Sequence, residues 1–225
     1  MPNITNWHIP AGSLSPILII RYESFKRCVM KTLTLMLAVF LFMGFSTHTL
    51  AGKQEEMASV LLSKITGVNQ LAKQVRFIRA VKTQNAMGLS LDEIKQRDQQ
   101  WVVSGPDSDL KQSMSSSAIG KFLSSVIKNN ADKYNEMFLT DNQGANVAAF
   151  PLTSDYWQGD EAKFINAFNN GDGKVYIGDL EFDESTKVNA IQISVPVNYG
   201  NKAIGVLVIG VKVDHIEAEK LEELK

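Results

Sequence analysis

Apolar residues recur at three- and four-residue steps through residues 54–84, the spacing of a single buried face on an α-helix. The segment contains one glycine, Gly67, and no proline, so the pattern predicts one continuous helix. Such a helix would be about 45 Å long. It could lie across a sheet, pair with a second copy of the chain, or do both. The apolar positions are Met57, Val60, Leu61, Ile65, Val68, Leu71, Ala72, Val75 and Ile78.

Two more helices are predicted before the pattern changes. Ser90 begins the first, because Glu93 three residues later completes a capping box, and this helix runs to about Val103. The Ser-Gly-Pro sequence at 104–106 ends it. A further helix is expected from there to about Asn129.

From Tyr134 the apolar residues alternate with polar ones, which is typical of β-strands. Gly144 can adopt the positive φ of a tight turn, so the turn at 142–144 joins a strand ending at Thr140 to one over 145–150. The remaining predicted elements are a short helix over 161–169, with Ala162, Ile165 and Phe168 facing the core, and strands over 174–178, 188–197 and 203–213.

The segment 204–209 is apolar on both faces, which indicates a central strand covered on both sides. One cover would be the long first helix, and the other would be the segment 154–184, with a pocket beneath it. The predicted fold is therefore α+β: an antiparallel sheet with helices on one face and a loop and short helix on the other. Within one domain over residues 52–225, helices occupy 52–133, and the sheet core and a charged C-terminal helix occupy 134–225.

The N-terminal region reads as a targeting segment. Residues 33–45 form a short apolar run, preceded by Lys31 and followed by small residues before a polar stretch. This predicts a cleavable signal peptide over residues 30–51, with an uncleaved anchor as the alternative. Residues 1–29 precede that signal and show no sustained period, so we expect a non-native or disordered extension. The expected location is periplasmic or secreted.

Composition excludes several functional classes. Without residues 1–51 the chain loses four of 23 basic and one of 24 acidic residues, leaving a net charge of −4. Nucleic-acid partners would need clustered basic residues, so none are expected. The same part has no cysteine and one histidine, His215, which argues against a zinc or haem cofactor. The serines at 115–117 therefore have no histidine to act as a general base. We predict no enzymatic activity and no metal.

Aromatic and acidic side chains cluster before the short helix. Tyr156 and Trp157 would supply rigid apolar walls, and Asp160 could hold an ammonium or a hydroxyl. A structural reading is open as well: Asp155 or Asp160 caps the helix, and Trp157 packs on the sheet. Farther on lie Glu181, Asp183 and Glu184, which lack the spacing of a calcium loop. We expect them to form a solvated acidic loop rather than a calcium site or the carboxylate pair of a glycosidase.

The order of these segments resembles a known family. Phe138-Leu-Thr-Asp-Asn-Gln-Gly144 leads to Ser154-Asp-Tyr-Trp-Gln-Gly-Asp-Glu161, then to Lys174-Val-Tyr-Ile-Gly-Asp179 and Ile193-Ser-Val-Pro-Val197. This order resembles extracytoplasmic PAS-like sensor domains, called Cache or PDC domains. The resemblance implies a five-stranded antiparallel sheet and a ligand site between the sheet and the loop-helix segment. The ligand-binding residues that it implies are Tyr156, Trp157, Gln158, Asp160, Tyr176, Asp179, Gln192 and Ser194.

The resemblance also implies a function. We expect a single-domain, secreted sensor that binds a small polar or cationic metabolite and signals through a separate membrane protein, such as a kinase or cyclase. A homodimer through helix 54–84 is expected. No arginine follows Tyr156 at the family's distance, and the last one is Arg97, which disfavours an amino-acid ligand. The alternatives are an interaction module that docks through its long helix without binding a ligand, and a hydrolase, which the missing Ser–His pair disfavours.

Overall fold

The computed structural model describes residues 62–183 and 186–216. The extension predicted over 1–29, the signal peptide over 30–51 and most of the C-terminal helix lie outside the described residues. The helices are α1 (62–72), α2 (Val75–Asn85), α3 (Leu91–Val103), α4 (Asp109–Ser116), α5 (Ala118–Asn129) and α6 (Ala162–Phe168). The strands are β1 (Tyr134–Thr140), β2 (Asn146–Phe150), β3 (Tyr176–Asp183), β4 (Val188–Tyr199) and β5 (Lys202–Lys212).

The five strands form one antiparallel sheet in the order β2-β1-β5-β4-β3. This confirms the predicted α+β class. Strand β5 is central, as the two-sided apolar segment 204–209 predicted. The β1–β2 turn has the expected geometry, with Gly144 at φ 86°. The β4–β5 turn likewise has Gly200 at φ 61°.

The two faces of the sheet are covered by different elements. A Cβ at Gly205 would lie 2.9 Å from Val81 Cγ1 of α2, so this face of β5 packs on the N-terminal helices. Side chains alternate along a strand, and Leu207 and Ile209 therefore share that face, where both are fully buried. Val208 and Gly210 lie on the opposite face, which α6 and the segment before it cover.

The prediction of one continuous N-terminal helix is wrong. α1 and α2 are separated at residues 73–74, where Gln74 adopts extended backbone (φ −66°, ψ 136°). Within each helix the buried side chains keep helical spacing, but Phe77 of α2 lies five positions after Ala72 of α1. An unbroken helix would turn one of the two away from the core. Val75, expected on the buried face, is 68% exposed because of this break.

Of three other predictions about the helices, one is confirmed and two are wrong. The capping box at Ser90 and Glu93 is confirmed. The helix predicted to end near Asn129 is two helices, because Ser117 leaves the helical conformation and its Oγ accepts from Gly120 N at 2.9 Å. In α6 the buried side chains are Phe164 and Ala167 instead of the predicted Ala162 and Ile165.

In the part of the chain described, no helix combines the length and apolarity needed to cross a bilayer.

Candidate functional site

A cavity of about 510 Å³ lies between the sheet and residues 151–161, which we call the flap. The sheet contributes side chains from β1, β3 and β4, and α6 contributes Lys163. This is the position at which the sequence predicted a pocket. The lining residues are Asn135, Glu136, Pro151, Leu152, Thr153, Ser154, Asp155, Gln158, Lys163, Asp179, Glu181, Phe182, Asp183, Ala190 and Gln192.

A glycine on the central strand creates the polar floor of the cavity. Gly210 of β5 lies opposite both Glu136 of β1 and Gln192 of β4. A Cβ at Gly210 would overlap Asn135 Oδ1 and Glu136 Cγ. Because that Cβ is missing, Gln192 Nε2 reaches over β5 and donates to Glu136 Oε1 at 2.6 Å. Two polar side chains from non-adjacent strands therefore meet in the middle of the sheet.

Glu136 is a half-buried carboxyl, and no cation among the described residues is in hydrogen-bond contact with it. Burial raises its pKa above the ordinary value, and the hydrogen bond from Gln192 only partly opposes this. The charge of Lys163 also lowers the pKa, whereas Asp183 and Glu161 raise it. Lys163 is itself paired with Glu161 at 2.7 Å. The floor therefore holds a carboxyl whose charge is poorly compensated.

More carboxylates come from β3. Asp183 is held in place, because its Oδ2 accepts from Asn135 Nδ2 at 2.7 Å and from Thr186 Oγ1 at 2.6 Å. Asp179 and Glu181 lie on the exposed part of the strand. The expected acidic loop is thus wrong for Glu181 and Asp183, since the strand predicted to end near Gly178 continues to Asp183. Pairing with β4 keeps these residues extended, and Glu184 lies outside the described residues.

The inner side of the flap adds an amide and a carboxylate. Gln158 is 1% exposed, and its Nε2 donates to Asp155 Oδ1. Gln158 Oε1 has no hydrogen-bond partner among the described residues. Asn146 Nδ2 donates to Thr153 Oγ1 at 2.7 Å, which ties the flap to β2. The flap therefore offers the cavity a buried acceptor as well as a charge.

The outer side of the flap is fixed by α3. Asp98 Oδ1 accepts from both Tyr156 N and Trp157 N, at 2.8 and 3.0 Å. Trp101 Nε1 donates to Thr153 O at 2.9 Å, and its ring lies 6.1 Å from that of Tyr156, centroid to centroid. These contacts turn Tyr156 toward α3, where it is buried. Burial raises the pKa of the Tyr156 hydroxyl.

Three of the eight predicted ligand-binding residues line the cavity: Gln158, Asp179 and Gln192. Their binding of a ligand stays a prediction. The structure places the other five outside the lining. Tyr156 packs against α3, and Trp157 Nε1 donates to Gln143 O at 2.8 Å. Asp160 is exposed, Tyr176 is half-buried on β3, and Ser194 is fully buried on β4. The helix-capping alternative is not seen either, because Glu161 is the N-cap of α6 and no side chain caps it.

Sequence reasoning missed Glu136, Asn135 and Lys163. A signal for Glu136 exists, because it is the only charged residue in β1, Tyr-Asn-Glu-Met-Phe-Leu-Thr, whose last four residues are all buried. The partners of Glu136 come from β4 and α6, distant in sequence, so no local motif marks the group.

Within the described ranges, no cluster of three or more His, Cys, Asp or Glu is arranged to hold a metal ion. The arrangement suits reversible binding of a polar or positively charged molecule.

No family model and no curated protein matches the chain. Solved structures do match, at low identity. The Vibrio cholerae histidine kinase DctB sensor domain is 15% identical with a TM-score of 0.43, and the match covers 76% of this chain and 58% of that one. The ligand-binding domain of the Pseudomonas aeruginosa amino acid chemoreceptor PctC, in complex with GABA, is 13% identical with a TM-score of 0.36, over 70% and 63%.

The Escherichia coli DcuS sensor domain is 20% identical with a TM-score of 0.34, covering 58% of this chain and 96% of that one. The chain thus spans less than two thirds of the DctB and PctC structures. The resemblance to sensor domains of histidine kinases and chemoreceptors is one of fold.

Proposed function

We propose that the chain is an extracytoplasmic sensor domain that binds a small polar or cationic metabolite in the cavity beneath the flap. The observation that carries the proposal is the polar floor of Glu136 and Gln192, set in a sheet whose helix-covered face is aliphatic. A sheet that only needed packing would gain nothing from a half-buried carboxyl, because removing part of its water costs free energy. Fixed polar groups that converge on a cavity give a ligand site its orientation and specificity.

Signalling would pass through a separate membrane protein, such as a histidine kinase or a cyclase, and the protein itself would perform no chemistry. The flap supports this part of the proposal, because it joins the cavity to α3 through Asp98 and Trp101. A ligand that pulls on the inner side of the flap would shift α3 on its outer side. A periplasmic or secreted location agrees with the targeting segment predicted over residues 30–51.

A thermal-shift screen of the full chain against a metabolite library tests the proposal. A ligand that binds only the folded state must raise the melting temperature, by an amount that grows with concentration. We expect at least one polar or cationic compound to do so, and the Gln192→Leu variant to lose the shift. The matched control is Gln99→Leu on the exposed face of α3. A library without any stabilising compound would contradict a sensing function.

A second candidate is association of two copies through the N-terminal helices, with or without a ligand. Two exposed apolar side chains favour it: Val75 of α2 is 68% exposed, and Tyr199 at the end of β4 is 57% exposed. They border a groove in which Lys82 Nζ lies 3.7 Å from the centroid of the Tyr199 ring. The predicted dimer through helix 54–84 would use this surface, although residues 54–61 lie outside the described ranges.

Analytical ultracentrifugation tests the second candidate. We expect Val75→Glu to shift a dimer toward monomer, because a charge at a packed apolar position is costly. Val102→Glu on α3 is the matched control, since Val102 is also exposed, at 61%. Equal sedimentation of wild type and both variants would contradict the dimer through α2.

A further inference from the structure

We propose that the cavity selects a small organic cation bearing N–H donors, an ammonium or guanidinium without a carboxylate, and that its charge pairs with Glu136. The inference rests on the function proposed above and names the ligand class of that same site. It follows from three features of the lining: its charge, the state of its floor, and a buried acceptor.

The lining is strongly acidic. Carboxylates come from Glu136, Asp155, Asp179, Glu181 and Asp183, and Lys163 is the one basic side chain among the lining residues. Glu161 already neutralises that lysine at 2.7 Å. A cleft lined by one sign of charge focuses the field and concentrates ions of the opposite sign. The cavity therefore attracts cations and repels anions.

The floor lacks a counter-ion. The hydrogen bond that Glu136 accepts in the structure comes from a neutral amide, Gln192 Nε2. Burial raises the pKa of this carboxyl, and neither Gln192 nor the charge of Lys163 from α6 offsets burial. Asp183 from β3 and Glu161 from the flap add to the rise. A cation on the floor would supply the charge that Glu136 needs to ionise, in a charge-assisted hydrogen bond.

The flap supplies an acceptor without a donor. Gln158 Nε2 donates to the Asp155 carboxylate, and this hydrogen bond fixes the orientation of the amide. The amide oxygen therefore lies on the side away from Asp155. That oxygen is buried and has no hydrogen-bond partner in the described part of the chain. A buried acceptor without a partner is costly, and an N–H group relieves the cost. The ligand should therefore be an N–H donor, which a quaternary ammonium is not.

The lining also argues against ligands with a carboxylate. Recognition of a carboxylate by a protein typically uses an arginine fork, and no arginine lines the cavity. Arg97 belongs to the outer side of the flap, where it contacts Tyr156. A dicarboxylate or an amino acid would place its negative charge beside the β3 carboxylates Asp179, Glu181 and Asp183, which we call the acidic wall. This repulsion is a source of specificity.

Thermal shift and calorimetry on the full chain test the class of ligand. The probes are 1,4-diaminobutane and agmatine as N–H cations, tetramethylammonium as a cation without N–H, glycine as a zwitterion and succinate as an anion. We expect binding of at least one of the first two and none of the last three. Binding of glycine or succinate alone would overturn the inference and leave a small-molecule sensor. Absence of stabilisation by these probes and by the whole metabolite library would overturn both proposals.

Variants of single acidic residues test which carboxylate pairs with the bound cation. Glu136→Gln should weaken the bound amine about tenfold or more, equal to about 1.4 kcal/mol, and Glu181→Gln should weaken it less. Asp172→Asn removes an equal charge outside the cavity lining, where Asp172 pairs with Lys202, and should leave affinity unchanged. Glu181 is exposed, so its substitution tests the acidic wall even if the Glu136 variant folds poorly. Unchanged affinity in both cavity variants would overturn the inference.

The dependence on pH is a separate readout. A cation prefers ionised Glu136, so affinity should fall as the pH is lowered through the raised pKa of that carboxyl. In Glu136→Gln this fall should be smaller than in wild type. An affinity that does not change with pH in wild type would contradict pairing with Glu136.

Discussion

The two faces of the sheet are built from different side chains, although the same strands supply both. Toward the N-terminal helices, Ile193, Val195, Leu207 and Ile209 are aliphatic and fully buried. Toward the flap, the same strands present Gln192 and Ser194, and β1 presents Glu136, Phe138 and Thr140. The helix-covered face can be explained by packing alone. The flap-covered face retains polar groups that packing disfavours. Stability is therefore assigned chiefly to the first face, and the proposed function places recognition on the second.

The largest expected effect is on the helix-covered face. Leu207→Ala leaves a void that the neighbouring strands cannot fill, so the free energy of unfolding should fall by about 2–5 kcal/mol. Leu180→Ala is the matched control, because Leu180 is 58% exposed, and it should cost much less. Denaturant titration of both variants measures the difference. Equal losses would show that the helix-covered face does not dominate stability.

Removing the clamp on the flap should have an intermediate effect. Asp98→Ala deprives Tyr156 N and Trp157 N of their shared acceptor, at a cost of about 1–3 kcal/mol. The tryptophan emission should shift to longer wavelength, because Trp101 contacts the flap and Trp157 belongs to it. Asp107→Ala in the exposed turn before α4 is the control. Identical emission spectra in wild type and Asp98→Ala would contradict this role of α3.

The pH dependence of stability should single out the flap-covered face. The folded chain holds the Glu136 proton to a higher pH than the unfolded chain does, because burial raises the folded pKa above 4.5. Between those two values the folded state binds more protons, so the free energy of unfolding falls as the pH rises through this window. Glu136→Gln should flatten the fall and raise the melting temperature at neutral pH.

Asp141, whose pKa burial also raises, remains in the Glu136→Gln variant, so part of the slope should persist. Denaturation curves at several pH values measure both quantities. A slope as steep in the variant as in wild type would show that Glu136 does not carry this dependence.

The smallest effect is expected at Asp160. It is exposed, does not line the cavity and does not cap α6. Asp160→Ala should change the melting temperature and ligand affinity little, with free-energy changes within about 0.5 kcal/mol. A large loss of affinity would mean that the flap closes over the ligand and brings Asp160 inward.

The sheet could be predicted from the sequence because its signals are local. Alternation from Tyr134 onward and the glycine at position 144 fix the first hairpin, and the two-sided apolar run at 204–209 identifies the central strand. The break between α1 and α2 has no such signal, since neither glycine nor proline occurs at 73–74. It arises from the registers in which two helical segments meet the sheet, which is a tertiary effect.

The candidate site was predicted in position but only partly in composition. Tyr156 and Trp157 have the residue types of a binding wall, but Asp98, 58 residues before Tyr156, turns Tyr156 toward α3. Glu136 and Gln192 meet only because Gly210 lies between them on a strand that is distant in sequence from β1. Contacts of this kind depend on the register of the sheet, which a single sequence does not specify.

Strand β3 is an edge of the sheet, so one row of its backbone groups has no partner strand among the described residues, beside the exposed side chains of Leu180 and Phe182. Open strand edges with apolar neighbours favour edge-to-edge aggregation, and charged residues along them oppose it. Asp179 and Glu181, which are exposed on this strand, would oppose such pairing by mutual repulsion. Neutralising the acidic wall would thus lower solubility, through self-association along this border, as well as weaken the binding of a cation.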